Sequence, residues 1–319
     1  MTVSLLSVSE IVGGMVMLIL SSLTLTLTIE EIGRRGKFSE RFTGSVISPI
    51  FTAMPELVII IIALVIVGNV PGSEVAAGTI IGEPFMVSAL GFPIVAVTLL
   101  LAGRKKRVET IDPVLSKSLI YLGLVFPVML IPWFFNSVLV KGTVSVALII
   151  LYLIFLIFVK GEQGLEEEAK SIRIGSGRML GIIVASGVAL LIAGSMFLVR
   201  GIDALSQETG VNRELITILL VPLGTIVPET MNAIIWASRG KTSLAIGAMA
   251  GEEMYFATLF PALGIMASRW VITTGGMTAI VLTSSFSIAL GLASLKFRNA
   301  FYIFLFYLAS FFIFLSFIY

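Results

Sequence analysis

Five glutamates, Glu56, Glu83, Glu229, Glu252 and Glu253, fall inside long apolar stretches that hold no Lys or Arg. An ionised side chain at the centre of a membrane helix costs about 2.5–3.5 kcal/mol on insertion scales, so acids without basic partners need cations or protons. The chain has no cysteine and no histidine, which removes thiolate ligands, imidazole ligands and imidazole proton carriers together. Carboxylates, hydroxyls and backbone carbonyls remain, and these are the ligands of hard cations. The competing reading is that each glutamate is neutral and hydrogen-bonded to a neighbouring helix.

The acids occur in repeated phrases. Residues 49–56 read PIFTAMPE and residues 222–229 read PLGTIVPE, both P-x-x-T-x-x-P-E. A second phrase follows each: GTIIGEP from Gly78 and GAMAGEE from Gly247, both G-x-x-x-G-E. Glu56 and Glu229 are offset by 173 residues and Glu83 and Glu252 by 169, so two matched phrases recur in the same order. The alignment pairs Glu252 with Glu83 and leaves Glu253 opposite Pro84. Neighbours on a helix point about 100° apart, so Glu253 is a secondary candidate.

The elements that position these residues are membrane spans. The chain has 319 residues, 57% hydrophobic and only 13% charged, about half the charge of an ordinary soluble domain. A bilayer core of about 30 Å needs roughly 20 apolar residues per helix. Ten stretches qualify, near 10–29, 42–68, 75–102, 117–136, 142–159, 178–199, 214–238, 242–267, 270–295 and 298–318. The N-terminus has no basic segment or cleavage site and reads as running straight into the first span. With loops assigned alternately to two sides, every Lys and Arg except Lys141, Arg200, Arg213 and Arg269 falls on one side. The positive-inside rule makes that side cytoplasmic and puts both termini outside, as an even span count requires. The net charge of +2 gives no reason to expect a nucleic-acid partner.

The connection from Lys160 to Arg178 is the one long polar segment and divides the spans five and five. Its run Glu166, Glu167, Glu168 reads as a solvated linker before a regulatory cation site. The expected domains are residues 1–160, a cytoplasmic linker over 161–177, and residues 178–319. Because each unit has an odd number of spans, the second enters the membrane from the opposite side, giving an inverted repeat. Pro49 and Pro55, and again Pro222 and Pro228, withdraw backbone donors inside a span, so spans two and seven are expected to be broken near mid-depth. Freed carbonyls at that depth are tolerated where they line a cavity or meet a ligand. Gly78, Gly82, Gly247 and Gly251, spaced in fours, favour close helix approach over a direct ligand role.

At these phrases the chain resembles the cation/calcium antiporter superfamily, which includes sodium/calcium exchangers and calcium/proton exchangers. The family's signature in spans two and seven is similar to residues 52–56, TAMPE, and 225–229, TIVPE. The resemblance covers the whole architecture and implies an all-α membrane protein of ten spans in two inverted five-helix repeats. It makes Glu56 and Glu229 the central ligands of a transported divalent cation, with oxygens added by Thr52, Thr225 and the carbonyls of Pro49 and Pro222. Departures are equally plain: Ala53 and Ile226 follow the threonines where sodium/calcium exchangers carry Ser or Asn, which removes side-chain oxygens from the sodium sites. Thr79 and Ala248 stand where the second phrase has Asn, Val87 and Phe256 where it has a polar residue, and Glu83 and Glu252 replace a small hydroxyl residue.

Four carboxylates around one divalent ion leave a formal charge near −2, expensive at low dielectric, so protons must enter the exchange. The expected function is antiport of a divalent cation, Ca²⁺ first, against H⁺ ahead of Na⁺, in an integral protein of the cell membrane with no cofactor. A cation channel is the alternative, although channels assemble acids around an oligomer axis and these pair within one chain. An intramembrane metal-dependent enzyme is the remote one: Glu252-Glu253 lacks the nearby Arg and the histidines that paired-glutamate proteases need.

Overall fold

The computed structural model describes residues 3–35, 53–103, 110–159, 176–240, 242–297 and 301–318. Among these, every regular element is helical, as a lipid-facing backbone requires when no water is present to satisfy its N–H and C=O groups. The first half contains α1 (Leu5–Arg35), α2 (Met54–Ile62) extended by a π-helical turn (Ala63–Val67), and α3 (Asn69–Met86). A second π-helical turn (Val87–Gly91) leads into α4 (Phe92–Gly103), followed by α5 (Pro113–Val125), a 3-10 turn (Phe126–Leu130), α6 (Ile131–Phe134) and α7 (Val138–Val159). The second half contains α8 (Gly177–Thr209), α9 (Arg213–Ser238), α10 (Thr242–Ala257), α11 (Leu259–Ala267), α12 (Thr274–Lys296), a 3-10 segment (Phe301–Phe306) and α13 (Tyr307–Ile318). Six stretches among the described residues are long and apolar enough to cross a bilayer: Leu5–Leu25, Asn69–Gly103, Pro113–Phe134, Val138–Ile157, Gly177–Thr209 and Thr274–Lys296. Met54–Val67 and Tyr302–Phe317 are shorter apolar segments. The protein is therefore an all-α, multi-span integral membrane protein.

Glycines set how the helices meet. A Cβ on Gly14 of α1 would lie 2.8 Å from the Gly194 carbonyl and 2.7 Å from the Leu198 nitrogen of α8. Reciprocally, a Cβ on Gly194 would lie 3.0 Å from the Gly14 carbonyl and 3.1 Å from the Leu18 nitrogen. The α5–α12 contact repeats the pattern. A Cβ on Gly123 would lie 2.6 Å from the Ser284 carbonyl and 3.1 Å from the Ile288 nitrogen, and one on Gly291 would lie 2.8 Å from the Ser116 carbonyl and 3.1 Å from the Ile120 nitrogen. In both pairs the helices run antiparallel, and each contact maps onto its partner under exchange of the two helices.

Removing a Gly from such a contact sets two effects against each other. Alanine gains about 1 kcal/mol of helix propensity. Overpacking against backbone costs about 1–3 kcal/mol. Gly123→Ala and Gly291→Ala should therefore both lower the unfolding midpoint of the detergent-purified protein. Gly181→Ala, whose Cβ meets no described atom within 4 Å, should leave the midpoint unchanged or raise it. Equal midpoints for all three would remove the close-approach account.

Proline explains where helices deform. Pro93 and Pro261, each preceded by Phe, fall 168 residues apart, and each deprives a residue four back of its donor. The π-helical turn Val87–Gly91 lies just before Pro93, and the interruption at Thr258 between α10 and α11 lies just before Pro261. Both deformations come one to two turns after the second-phrase glutamates. The expected break in span seven is corrected: α9 is continuous through Pro222 and Pro228. Each proline removes one donor only, so the carbonyls of Ile218 and Gly224 lose one bond each while the rest of the backbone ladder of α9 carries on past them. In span two the helix begins at Met54 with Pro55 in its first turn, and Pro49 lies outside the described residues.

One end of the bundle collects polar contacts. The Lys141 ammonium donates to the carbonyls of Ser268 and Arg269, and the Arg269 N–H donates to the Ser73 hydroxyl. Arg213 pairs with Asp203 and Glu74, and Glu208 accepts from Ser4 and Ser7. At the other end of α1, Arg35 lies against Gly177 at the start of α8.

Candidate functional site

Glu56 stands in the first turn of α2, fully buried, two residues after a helix start fixed by Met54 and Pro55. Neither of its carboxylate oxygens has a hydrogen-bond partner among the described residues. Thr225 stands near it without meeting hydrogen-bond geometry, and Glu83 and Glu252 are within electrostatic reach. A buried carboxylate with two bare oxygens is costly unless a proton or a cation completes it.

Glu83 is brought to Thr225 by the contact of α3 with α9. A Cβ on Gly78 would lie 2.7 Å from the Glu214 carbonyl, and one on Gly82 would lie 2.7 Å from the Ile218 Cα and 2.8 Å from its carbonyl. The Ile218 carbonyl is the one that Pro222 cannot satisfy, so α3 crosses directly over freed backbone. That crossing lets the buried Thr225 hydroxyl donate to Glu83 Oε2 at 3.2 Å. Pro222 is buried one turn before Thr225. Gly247 and Gly251, the repeat counterparts, have only a Leu115 methyl at 3.9 Å beside Gly247 and no described atom within 4 Å of Gly251.

Of the eight candidate ligands, Thr225 bonds Glu83 and stands near Glu56, and Glu252 is within electrostatic reach of Glu56. Thr52 and Pro49 lie outside the described residues, as does the side chain of Glu229. Glu252 is half-buried, whereas Glu253 is fully buried and accepts from the Ser88 hydroxyl at 2.6 Å. Among the described residues no three acidic side chains are close enough to clasp one ion together. The acids instead form two neighbouring groups, Glu56 with Glu83 and Glu253 with Ser88.

Sequence reasoning passed over several of these residues. Ser88 was hidden because the π-helical turn shifts the register beyond Glu83, although the paired Phe-Pro dipeptides at 92–93 and 260–261 signalled the deformation. Tyr307 looked like one aromatic among many, yet its hydroxyl is buried against Ser287 at 2.9 Å. Glu214, at the edge of span seven, is fully buried and accepts from the Thr273 N–H at 2.6 Å, fixing the start of α12.

The family model described as "Sodium/calcium exchanger protein" matches residues 6–161 and 179–319. A curated relative, "Putative antiporter CaxA" of Alkalimonas amylolytica, is 29% identical over 112 residues, or 34% of this chain and 35% of that protein. The chain thus aligns with about a third of that relative's length. Among solved structures, the H⁺/Ca²⁺ exchanger CAX superposes with a TM-score of 0.70 at 16% identity, over 95% of this chain and 81% of that one. YfkE gives 0.66 at 17% identity, over 97% and 89%. The sodium-calcium exchanger NCX_Mj gives 0.59 at 20% identity, over 98% of each chain. At such identities these superpositions establish a shared fold.

Proposed function

The chain belongs to the sodium/calcium exchanger protein family, and on that footing we propose that it is a secondary active antiporter of a divalent cation, Ca²⁺ foremost, against protons or Na⁺. Exchange proceeds by alternating access at a central glutamate site. The proposed ligands are Glu56, Glu229, Glu83 and Glu252, with Thr52, Thr225 and the carbonyls of Pro49 and Pro222, and Glu253 as a secondary group. Glu56 carries this reading, because two bare carboxylate oxygens in a fully buried position among Glu83, Glu252 and Thr225 await a positive partner.

The architecture we propose is ten spans in two inverted five-helix units, residues 1–160 and 178–319, joined by a cytoplasmic linker over 161–177. The mutual glycine contacts of α1 with α8 and of α5 with α12 support it, since an in-plane two-fold axis pairs each helix with its own antiparallel counterpart. Both termini outside follows from the charge bias, and the cell membrane is the location we propose. Ser73, Lys141, Asp203, Arg213 and Arg269 meet at one end of the bundle, the end that bias assigns to the exterior.

The test is transport by the purified full chain in proteoliposomes with imposed ion gradients. Divalent uptake that requires a counter-ion inside supports exchange; flux down the divalent gradient alone means a channel. In sodium-free medium, Glu252→Gln should depress uptake far more than Glu253→Gln, because only Glu252 acts on Glu56 and has a repeat partner in Glu83. The reverse ranking would move the central ligand of α10 by one residue.

A further inference from the structure

Behind the central group lies a second cluster of oxygen atoms, built by four different elements: Ser88 on the π-helical turn, Glu253 on α10, Ser287 on α12 and Tyr307 on α13. All four residues are at most 1% exposed. The Ser88 hydroxyl bonds Glu253 Oε1 at 2.6 Å, and the Ser287 and Tyr307 hydroxyls bond each other at 2.9 Å. The Tyr307 hydroxyl also lies beside Ser88 and within electrostatic reach of Glu253, which joins the two pairs. Glu253 Oε2, although buried, has no hydrogen-bond partner among the described residues. Phe92 stacks on Tyr307 at 5.3 Å and Phe286 at 6.3 Å, so aromatic rings wall the cluster.

The charged groups acting on Glu253 are Glu83 and Glu252, both acids. A carboxylate sealed in this way, facing two others, is completed by a proton or by a positive partner of its own. One carboxylate with three neutral hydroxyls balances a single charge, whereas a divalent ion would leave a net positive charge buried at low dielectric. Hydroxyls and carboxylate are hard oxygen donors. We propose that Glu253, Ser88, Tyr307 and Ser287 hold a small monovalent cation of the Na⁺ class, which stays bound while the central site exchanges its ions. When the ion enters, the Ser88 oxygen ligates it through a lone pair while its proton stays donated to Glu253 Oε1. The site goes beyond the exchange at Glu56 and does not depend on which ions are exchanged there.

The experiment reads binding and needs no transport. The unfolding midpoint of the detergent-purified full chain is followed as NaCl replaces choline chloride at constant ionic strength and without divalent ions. A ligand that binds only the folded state raises the midpoint in a saturable way. Wild-type protein should show that rise, Glu253→Gln should lose it, and Glu56→Gln should keep it. Ser88→Ala and Tyr307→Phe should each keep the rise with a half-saturation concentration about tenfold higher, the expected effect of losing one ligand worth about 1.4 kcal/mol. These two milder variants read the site should Glu253→Gln prove unstable. A wild-type midpoint indifferent to NaCl overturns the proposal. So does a rise that persists in Glu253→Gln, where a neutral carboxyl would be mere helix glue, or one lost in Glu56→Gln, where sodium belongs to the central site. A second arm uses proteoliposomes with equal Na⁺ on both sides, which should speed divalent uptake by wild type and not by Glu253→Gln. Absence of any uptake would count against the antiport reading and leave the binding result standing.

Discussion

Glu56→Gln and Glu229→Gln, each reconstituted in proteoliposomes, should lower divalent-cation uptake by at least about 100-fold, because removing one member of a buried charge pair costs about 3–5 kcal/mol. The amide keeps the carboxylate's volume and can sit where a protonated carboxyl would. Expression, monodispersity and unfolding midpoint should therefore stay close to wild type. What is lost is charge. The two bare oxygens of Glu56 offer a cation two strong ligands, whereas glutamine offers one neutral oxygen and a repelling N–H₂. Because Glu56 and Glu229 are repeat counterparts, their losses should be of similar size. Wild-type flux in either purified variant would sink the central-ligand assignment, and a large loss confined to one would mean that the site is not two-fold.

How far the sequence alone reached depended on whether a feature was set by hydropathy or by packing. Helical class and the presence of intramembrane acids follow from composition and from the physics of unpaired charge in lipid, which act locally. The Gly78–Gly82 approach was also legible, since small residues four apart permit contact and the structure puts them against Glu214 and Ile218 of α9. The unbroken α9 was not legible. Proline position shows which carbonyls lose a donor, but whether a helix carries on past such a gap depends on the neighbouring helices packed around it, which local sequence does not show. Glu253 illustrates the same limit. Repeat alignment gave it no partner, yet the π-helical turn brings Ser88 to it from a helix five spans away in sequence. The repeated phrases mark Glu56 and Glu83, whereas the contact of Ser88 with Glu253 comes from backbone deformation.

Coupling is where the sequence departs most from the family it resembles, and it yields the second large effect. Wild-type proteoliposomes with an acidic interior should load divalent cation in sodium-free medium, and the same vesicles without a pH difference should not. Glu83 and Glu252 put two additional carboxylates within reach of Glu56, and carboxylates crowded in a dry site exchange protons for a cation rather than stay ionised together. Sodium gains less, since Ala53 and Ile226 are buried and offer no side-chain oxygen where the resembling exchangers provide one. Glu83→Ser combined with Glu252→Ser should then cut the uptake driven by a two-unit pH difference by about tenfold or more, the equivalent of one pKa unit of lost proton affinity. Ala53→Ser should introduce some dependence on internal sodium. It is a cleaner probe than Ile226→Ser, which would also hollow out a packed position at a cost of about 2–5 kcal/mol. Should wild-type uptake instead require internal sodium and ignore a two-unit pH difference, the four glutamates would have to be sodium ligands, and proton exchange would be excluded.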